Sequence, residues 1–287
     1  VGIALYPEHG ITCESLIQSA DRALYIAKKS DQKIQIGQDK YRLDSGTIKI
    51  VFQRIISISS GEIIGYEALS RDPNEQFSIS SLFKKYEAIG KLMELKRICF
   101  FEQIKRSEKR GISRVFINID FKLLDQIEPF PLPAHTEVIL EISELDALHD
   151  ISKHLLIAEK WRLRGFKFAI DDFGAGFISL PFMAKLIPDY IKLDRSTMLQ
   201  AVTNSTFRIF AMDLVKTLKH FVVSGIIVEG VETEEELLVI KEMGVDIVQG
   251  FLFGEPVELE EDCPEGIIRA DLASDRTTKS EMDDVLS

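Results

Sequence analysis

The chain has 287 residues, of which 45% are hydrophobic, enough for one large α/β domain with a fragment or for two small domains. Its formal net charge is −11 and it has no block of Lys and Arg, which argues against long nucleic acid and an anionic membrane surface as partners. A small phosphate ligand held through metal ions is compatible with this charge. No uncharged apolar stretch approaches the roughly 20 residues that span a bilayer, and residues 1–10 lack a signal peptide's basic start and apolar core, so we expect no membrane contact by this chain.

The first 47 residues predict a small α/β fragment and a linker. Residues 1–7 favour a short strand that ends at a proline, and Ser15–Lys29 has the apolar spacing of an amphipathic helix. One strand and one helix cannot bury a core alone. The chain is therefore expected to start inside a domain of a longer protein, which is compatible with membrane association of that protein. Residues 37–47 are polar and fit a linker.

Two segments of this fragment, VGIALYPEHG and ADRALYIAKKS, resemble the C-terminal end of a GGDEF (diguanylate cyclase) domain. The resemblance covers residues 1–36 and does not include the signature motif or the phosphate-binding segments of that family. It implies a remnant without cyclase activity. The alternative is a generic strand followed by an amphipathic helix.

From Ile48 onward the pattern changes to that of a larger α/β domain. The segments IKIVFQRIISI and EIIGYEAL flank Ser59-Ser60-Gly61 and predict two strands joined by a tight antiparallel turn. Predicted helices then lie at about 80–109, 150–164, 205–220 and 233–243, and predicted strands at 114–119, 136–142, 167–171, 189–194, 222–229 and 245–249. Runs of Val, Ile and Leu without alternation are typical of parallel strands covered on both faces. We predict a TIM-like (β/α)8 barrel with an antiparallel first strand, plus the small N-terminal α/β fragment; an open doubly wound sheet is the alternative.

Six segments leave an apolar run and finish on a carboxylate or carboxamide; they lie at 66–71, 115–120, 138–144, 168–174, 226–232 and 246–250. In a barrel these strand ends meet at one mouth, which would gather Glu67, Asn118, Glu141, Asp171, Asp172, Glu229 and Gln249. So many carboxylates repel each other unless cations lie among them. Oxygen donors without His or Cys indicate two Mg²⁺ or Mn²⁺ ions rather than zinc. The adjacent pair Asp171-Asp172 suits a bridge between two ions.

These motifs, in this order and spacing, resemble the EAL domain, the cyclic di-GMP-specific phosphodiesterase family. The resemblance covers about residues 50–257 and rests on Glu67-Ala68-Leu69, Asn118, Glu141-Ile142-Ser143-Glu144, Asp171-Asp172-Phe173-Gly174-Ala175-Gly176, Lys192-Leu193-Asp194, Glu229-Gly230-Val231-Glu232 and Gln249-Gly250-Phe251-Leu252-Phe253. Together with the N-terminal resemblance and the acidic composition of the last residues, it predicts a GGDEF remnant with linker at 1–44, an EAL barrel at 45–260 and an acidic tail at 261–287.

The resemblance implies a role for each of these residues. The metal ligands would be Glu67, Asn118, Glu141, Asp171, Asp172 and Glu229. The catalytic residues would be Glu67, Glu229 and Lys192. Of these, Lys192 would orient or deprotonate the attacking water. Substrate contacts would come from Gln53, Arg71, Asp194 and Gln249, with Arg71 on a phosphate. Glu144 and Glu232 would brace the site from behind, and Gly174 and Gly176 would let the loop after Asp172 bend towards the metals.

The implied activity is hydrolysis of cyclic di-GMP to linear pGpG by water activated between two Mg²⁺ or Mn²⁺ ions, in bacterial second-messenger signalling. A homodimer through the loop and helix after Asp172 is implied as well. The alternative is a module that binds cyclic di-GMP without turnover; the chain departs from the family at Asp120 and Ala175 but loses no ligand, which favours the enzyme. Three widely spaced cysteines, Cys13, Cys99 and Cys263, favour a reducing, cytoplasmic location.

Overall fold

The computed structural model describes residues 1–10, 12–30, 33–37, 43–143, 150–174 and 180–259. The chain divides into two compact units: residues 1–49 with 70–102 form the first, and residues 50–69 with the chain from Gln103 onward form the second. Within the described ranges, no helix is both long and apolar enough to cross a membrane. The predicted acidic tail at 261–287 lies outside the described residues.

Two short parallel strands and one helix form the N-terminal fragment. Strand β1 (Gly2–Ile3) pairs with β2 (Gln35–Ile36), and helix α1 (Cys13–Lys29) lies between them in the chain. Thr12 and Ser15 begin the helix with a capping box, in which each hydroxyl accepts a hydrogen bond from the other residue's backbone N–H. The helix agrees with the sequence prediction. Strand β2 was not predicted, because two residues are too few to show a pattern.

The main structure is a closed barrel of eight strands. These are β3 (Lys49–Ser57), β4 (Ile63–Arg71), β5 (Arg114–Asn118), β6 (Glu137–Ser143), β7 (Lys167–Phe173), β8 (Tyr190–Leu193), β9 (Gly225–Val228) and β10 (Ile247–Val248). They close in the order β10-β3-β4-β5-β6-β7-β8-β9, with β3 antiparallel to β10 and every pairing from β4 to β10 parallel. The predicted barrel with an antiparallel first strand is confirmed, and the open doubly wound sheet is wrong.

Helices connect the strands, and several were not predicted. They are α2 (Ile79–Ala88), α3 (Leu92–Lys109), α4 (Phe121–Gln126), α5 (Ile151–Arg162), α6 (Leu180–Leu186), α7 (Arg195–Thr203), α8 (Ser205–Leu218) and α9 (Glu234–Glu242), followed by a 3-10 turn at Phe251–Phe253. The single helix predicted at 80–109 is wrong, because Gly90 adopts a left-handed φ of 71° and separates α2 from α3. Helices α4, α6 and α7 are too short to show a clear helical period.

An apolar layer fills the middle of the barrel. Ile55, Phe116, Ile139, Ala169, Tyr190 and Ile227 form a buried cluster, and Ile64 and Ile247 pack against it, so that each barrel strand contributes one side chain. The rings of Phe116 and Tyr190 meet edge to face with centroids 5.1 Å apart. Side chains two residues away on the same strand share this inward face. The layer therefore separates two polar ends of the barrel interior.

One of these polar ends, at the starts of β5, β6 and β7, is held by ion pairs. Glu137 contacts both Arg114 and Lys167. Arg114 Nη1 also donates to the carbonyl oxygen of Ile64 at 3.1 Å. These three charged residues each precede an apolar-layer residue by two positions, and they tie three neighbouring strands together at the end opposite the candidate site.

Candidate metal centre

A layer of polar side chains lies on the other side of the apolar layer. In β5 to β10 it comes two residues after the apolar-layer position, and in the antiparallel β3 two residues before it. Its members are Gln53, Glu67, Asn118, Glu141, Asp171, Lys192, Glu229 and Gln249. All except Asn118 and Glu229 are at most 8% exposed. The barrel therefore brings together the strand-end residues that the sequence indicated, together with Lys192 and Gln53.

Lys192 lies at the centre of four carboxylates and is fully buried. Its Nζ atom is 2.6 Å from Glu229 Oε1, 2.7 Å from Glu141 Oε1, 3.4 Å from Asp171 Oδ1 and 3.5 Å from Glu67 Oε2. One ammonium group cannot neutralise four ionised carboxylates. The cluster therefore carries an excess of negative charge or holds protons.

Two amide side chains donate hydrogen bonds to Glu67, and a third bonds to one of them. Asn118 Nδ2 donates to Glu67 Oε1 at 2.7 Å, and Gln249 Nε2 donates to Glu67 Oε2 at 2.6 Å. Gln249 Nε2 also donates to Gln53 Oε1 at 3.0 Å, and Gln53 Nε2 donates to the carbonyl oxygen of Gly254 at 3.3 Å. Both amides on Glu67 use their nitrogens, so the amide oxygen of Asn118 is the atom available to a cation.

A bulge in β7 directs two adjacent aspartates to one place. The pairing of β7 with β8 shifts register between Ile170 and Phe173, and Asp172 adopts a left-handed φ of 55°. Carboxylate oxygens of Asp171, Asp172 and Glu229 consequently lie within 4.8 Å of one another, as ligands of one metal ion would. Such strain in a non-glycine residue is characteristic of functional sites.

Burial and crowding raise the pKa values of three carboxyl groups in this cluster. Burial raises the pKa of Glu141 well above its usual value. Lys192 acts to lower this pKa, but the surrounding carboxylates act to raise it further. For the same reasons the pKa of Glu229 is raised to about 8. Burial and the charge of Asp171 raise the pKa of Asp172.

Glu67 and Lys192 are the members held in their charged forms. Burial acts to raise the pKa of Glu67, but Lys192 and the hydrogen bonds from Gln249 and Asn118 bring it below its usual value. Burial likewise acts to lower the pKa of Lys192, but the surrounding carboxylates raise it well above its usual value. At neutral pH Lys192 is therefore an ammonium group, which donates hydrogen bonds and accepts none.

The residues present fit divalent cations. Glu141 Oε2 is buried and has no hydrogen-bond partner among the described residues. Asp171 Oδ1 has no hydrogen-bond partner there either and lies 3.4 Å from Lys192 Nζ. Buried carboxylate oxygens without donors are costly unless a cation faces them. The donor atoms are oxygens throughout, which is the ligand chemistry of Mg²⁺, Mn²⁺ and Ca²⁺.

Other predicted site residues are described by their local geometry. Asp194 is the N-cap of α7 and accepts a hydrogen bond from the backbone N–H of Ser196 at 2.8 Å. Arg71 ends β4 and donates to the carbonyl oxygen of Ser70 at 2.9 Å. Gly174 adopts a left-handed φ of 97°. Glu144 and Gly176 lie outside the described residues.

A pocket of about 290 Å³ opens beside the polar layer. It is lined by Gln53, Glu67, Arg195, Glu229, Gly230, Glu232, Gln249, Gly250 and Phe251. Glu232 pairs there with Arg195, a residue that sequence reasoning missed. The sequence holds one signal for Arg195: it follows Lys192 by three residues, just as Glu232 follows Glu229.

Comparison with known proteins identifies the family. A family model described as the EAL domain matches residues 38–256. The chain belongs to the EAL domain family. The match covers the EAL domain's whole barrel and every described member of the polar layer.

Relatives of this EAL domain carry names that state an activity. The cyclic di-GMP phosphodiesterase NbdA of Pseudomonas aeruginosa is 25% identical over 295 residues, which cover 90% of this chain and 37% of NbdA. The probable cyclic di-GMP phosphodiesterase PdeD of Escherichia coli K12 is 29% identical over 223 residues, which cover 73% of this chain and 41% of PdeD. This chain therefore spans about two fifths of the length of either relative.

A solved structure has the same fold as this EAL domain. BlrP1 of Klebsiella pneumoniae, in a complex with manganese and cyclic di-GMP, superimposes with a TM-score of 0.64 at 22% identity, covering 74% of this chain and 56% of that structure. The likeness shows a shared architecture.

Proposed function

We propose that this EAL domain hydrolyses one phosphodiester bond of cyclic di-GMP to give linear pGpG, with two Mg²⁺ or Mn²⁺ ions bound at the polar layer. The observation that carries the proposal is the convergence of four carboxylates on one buried lysine, with Asp172 beside them. The names of NbdA and PdeD support the substrate class. A phosphodiester anion would be repelled by this cluster, so cations are needed for binding as well as for chemistry.

The residues of this chain would divide the work as follows. Glu67, Asn118, Glu141, Asp171, Asp172 and Glu229 would hold the cations. When bound, two such ions neutralise phosphate charge and lower the pKa of water towards neutrality. Lys192 would donate a hydrogen bond that orients the attacking water, because its raised pKa disfavours a role as proton acceptor. Gln249, whose Oε1 has no hydrogen-bond partner among the described residues, would accept one from water or substrate.

Arg71 and Asp194 complete the proposal at the substrate. The guanidinium fork of Arg71 matches phosphate oxygens, so it would contact a phosphate of the substrate. Asp194 caps α7 and would contact substrate from the start of that helix. Glu232 would act behind the site through Arg195.

The test is turnover of cyclic di-GMP by the purified chain with Mg²⁺ or Mn²⁺, with and without chelator, with products separated by chromatography. We expect pGpG to form only without chelator, and Glu141→Gln to abolish its formation, because the substitution keeps the shape of a buried ligand and removes its charge. Glu137→Gln, at the opposite end of the barrel, is the matched control and should retain turnover. Chelator-resistant turnover, or pGpG from Glu141→Gln, would contradict the metal assignment. Binding of cyclic di-GMP without product would make the domain a receptor module.

We also infer that residues 1–36 are a GGDEF remnant, that the chain acts in the cytoplasm, and that it dimerises through the loop and helix after Asp172. The strand–helix–strand form of the N-terminal fragment supports the first of these. The dimer loop includes residues 175–179, which lie outside the described residues. Sedimentation of the chain with and without substitutions in α6 would test the dimer.

A further inference from the structure

A second ion pair repeats the geometry of the Lys192–Glu229 pair one step further along the chain. Lys192 and Glu229 face each other across β8 and β9, with Nζ 2.6 Å from Oε1. Three residues later in each segment, both terminal nitrogens of Arg195 contact the carboxylate of Glu232, Nη2 at 2.5 Å from Oε2. Because β8 and β9 are neighbours, paired at Leu193 and Val228, the two ion pairs form successive links between the same two strand ends.

Arg195 also packs on the backbone turn that separates the two links. Gly230 lies in this turn with a φ of 66°, and a β-carbon there would be 2.7 Å from Arg195 Cδ. Arg195 Nη2 is 3.7 Å from the buried Glu236, whose other carboxylate oxygen accepts hydrogen bonds from the backbone N–H groups of Glu232 and Thr233 at 2.6 and 3.0 Å. One guanidinium group therefore joins the first residue of α7 to the turn after β9 and to the first turn of α9.

We propose that Arg195 is a positioning residue for Glu229. Its fork on Glu232 fixes the turn at Gly230, and the turn sets the direction in which Glu229 faces Asp171 and Asp172. The inference rests on the proposed function, since the geometry it protects is that of a cation site. Arg195 performs this role without touching a cation, because its guanidinium is paired with Glu232 and approaches Glu236. Outer residues that orient metal ligands in this way typically contribute 10- to 100-fold to affinity or activity.

The first test is calorimetric titration of Mn²⁺ into the chelator-treated full chain. Arg195→Met keeps the packing stem and removes the fork, and we expect it to weaken Mn²⁺ binding by roughly 10-fold or more. Arg195→Lys keeps the charge as a single point without the fork, so its Mn²⁺ affinity should lie between those of Arg195→Met and the unaltered chain. Unchanged Mn²⁺ affinity in Arg195→Met would overturn the proposal. Weaker substrate binding with unchanged Mn²⁺ affinity would also overturn it, since that result would place Arg195 on the substrate.

The second test asks whether Arg195 and Glu232 act as one unit. In a double-mutant cycle of Arg195→Met with Glu232→Gln, the double variant should bind Mn²⁺ about as weakly as either single variant. Additive losses would contradict a shared role. Glu242→Gln removes the neighbouring surface pair with Arg208 and is the matched control, with Mn²⁺ affinity expected to be unchanged. An equal loss in this control would show a general effect of surface charge and overturn the proposal.

The affinity measurement separates this inference from the proposed function. If the unaltered chain binds Mn²⁺ but produces no pGpG, the proposed hydrolysis fails, while the effect of Arg195→Met on Mn²⁺ affinity still decides the positioning role. If the unaltered chain binds no Mn²⁺, both proposals are wrong. Urea unfolding of each variant shows whether a loss of affinity comes from a loss of fold.

Discussion

Glu229 shows how a single residue can make the metal-free site costly. Its pKa is raised to about 8, against about 4.3 for an unperturbed glutamate. In the metal-free chain the folded state keeps a proton that the unfolded state loses between these two values. The free energy of unfolding should therefore fall as the pH rises through this window. We predict that Glu229→Gln makes that fall smaller, as measured by urea unfolding of the chelator-treated chain across the window.

The control at this scale is Glu128→Gln, an exposed glutamate outside the cluster, which should leave the pH dependence unchanged. Equal pH dependence in Glu229→Gln and the unaltered chain would contradict the prediction.

The positions of the carboxylates were predictable from sequence, because each ends an apolar run. The contacts of Lys192 with four of them and the pairing of Arg195 were not, because they depend on which strands are neighbours and on their register.

At the scale of elements, the apolar strands were the most predictable part of the fold. Buried parallel strands are continuous runs of Val, Ile and Leu, so β5, β6 and β7 stand out in the sequence. Helices α4, α6 and α7 did not, because their few turns pack a short apolar face. The bulge of β7 was also hidden, since the predicted strand ended at residue 171 and the register shift lies between Ile170 and Phe173, where it decides how Asp171 and Asp172 come together.

The same strands yield a prediction at their other end. Glu137 accepts from Arg114 and Lys167, and although partial burial acts to raise its pKa, these two hydrogen-bonded cations hold the pKa below its usual value. The pairing therefore stabilises the fold above about pH 4.3 and is lost as the pH falls through the lowered value. We predict that Glu137→Gln lowers the free energy of unfolding by less than about 1 kcal/mol at neutral pH, because the group is partly exposed. Urea unfolding should show no difference at strongly acidic pH; a deficit that persists there would contradict the prediction.

At the scale of the whole molecule, the barrel interior places three layers in sequence: paired charges, apolar side chains, and carboxylates with one lysine. The first two layers stabilise the fold by themselves. We expect bound cations to balance the third, because Glu141 Oε2 is buried and has no hydrogen-bond partner among the described residues. Folding and cation binding should therefore be linked, and the stability of the whole chain should report on the site.

This linkage gives a prediction that needs no substrate. A ligand that binds only the folded state at 100 times its dissociation constant adds about 2.7 kcal/mol to the free energy of unfolding. We predict that saturating Mn²⁺ raises the Tm of the chelator-treated chain, that Na⁺ at matched ionic strength does not, and that Glu141→Gln loses most of the Mn²⁺ effect. Thermal unfolding followed by circular dichroism would measure all three. A Tm that Mn²⁺ leaves unchanged would mean that protons and Lys192 alone balance the carboxylates, and that the polar layer holds no divalent cation.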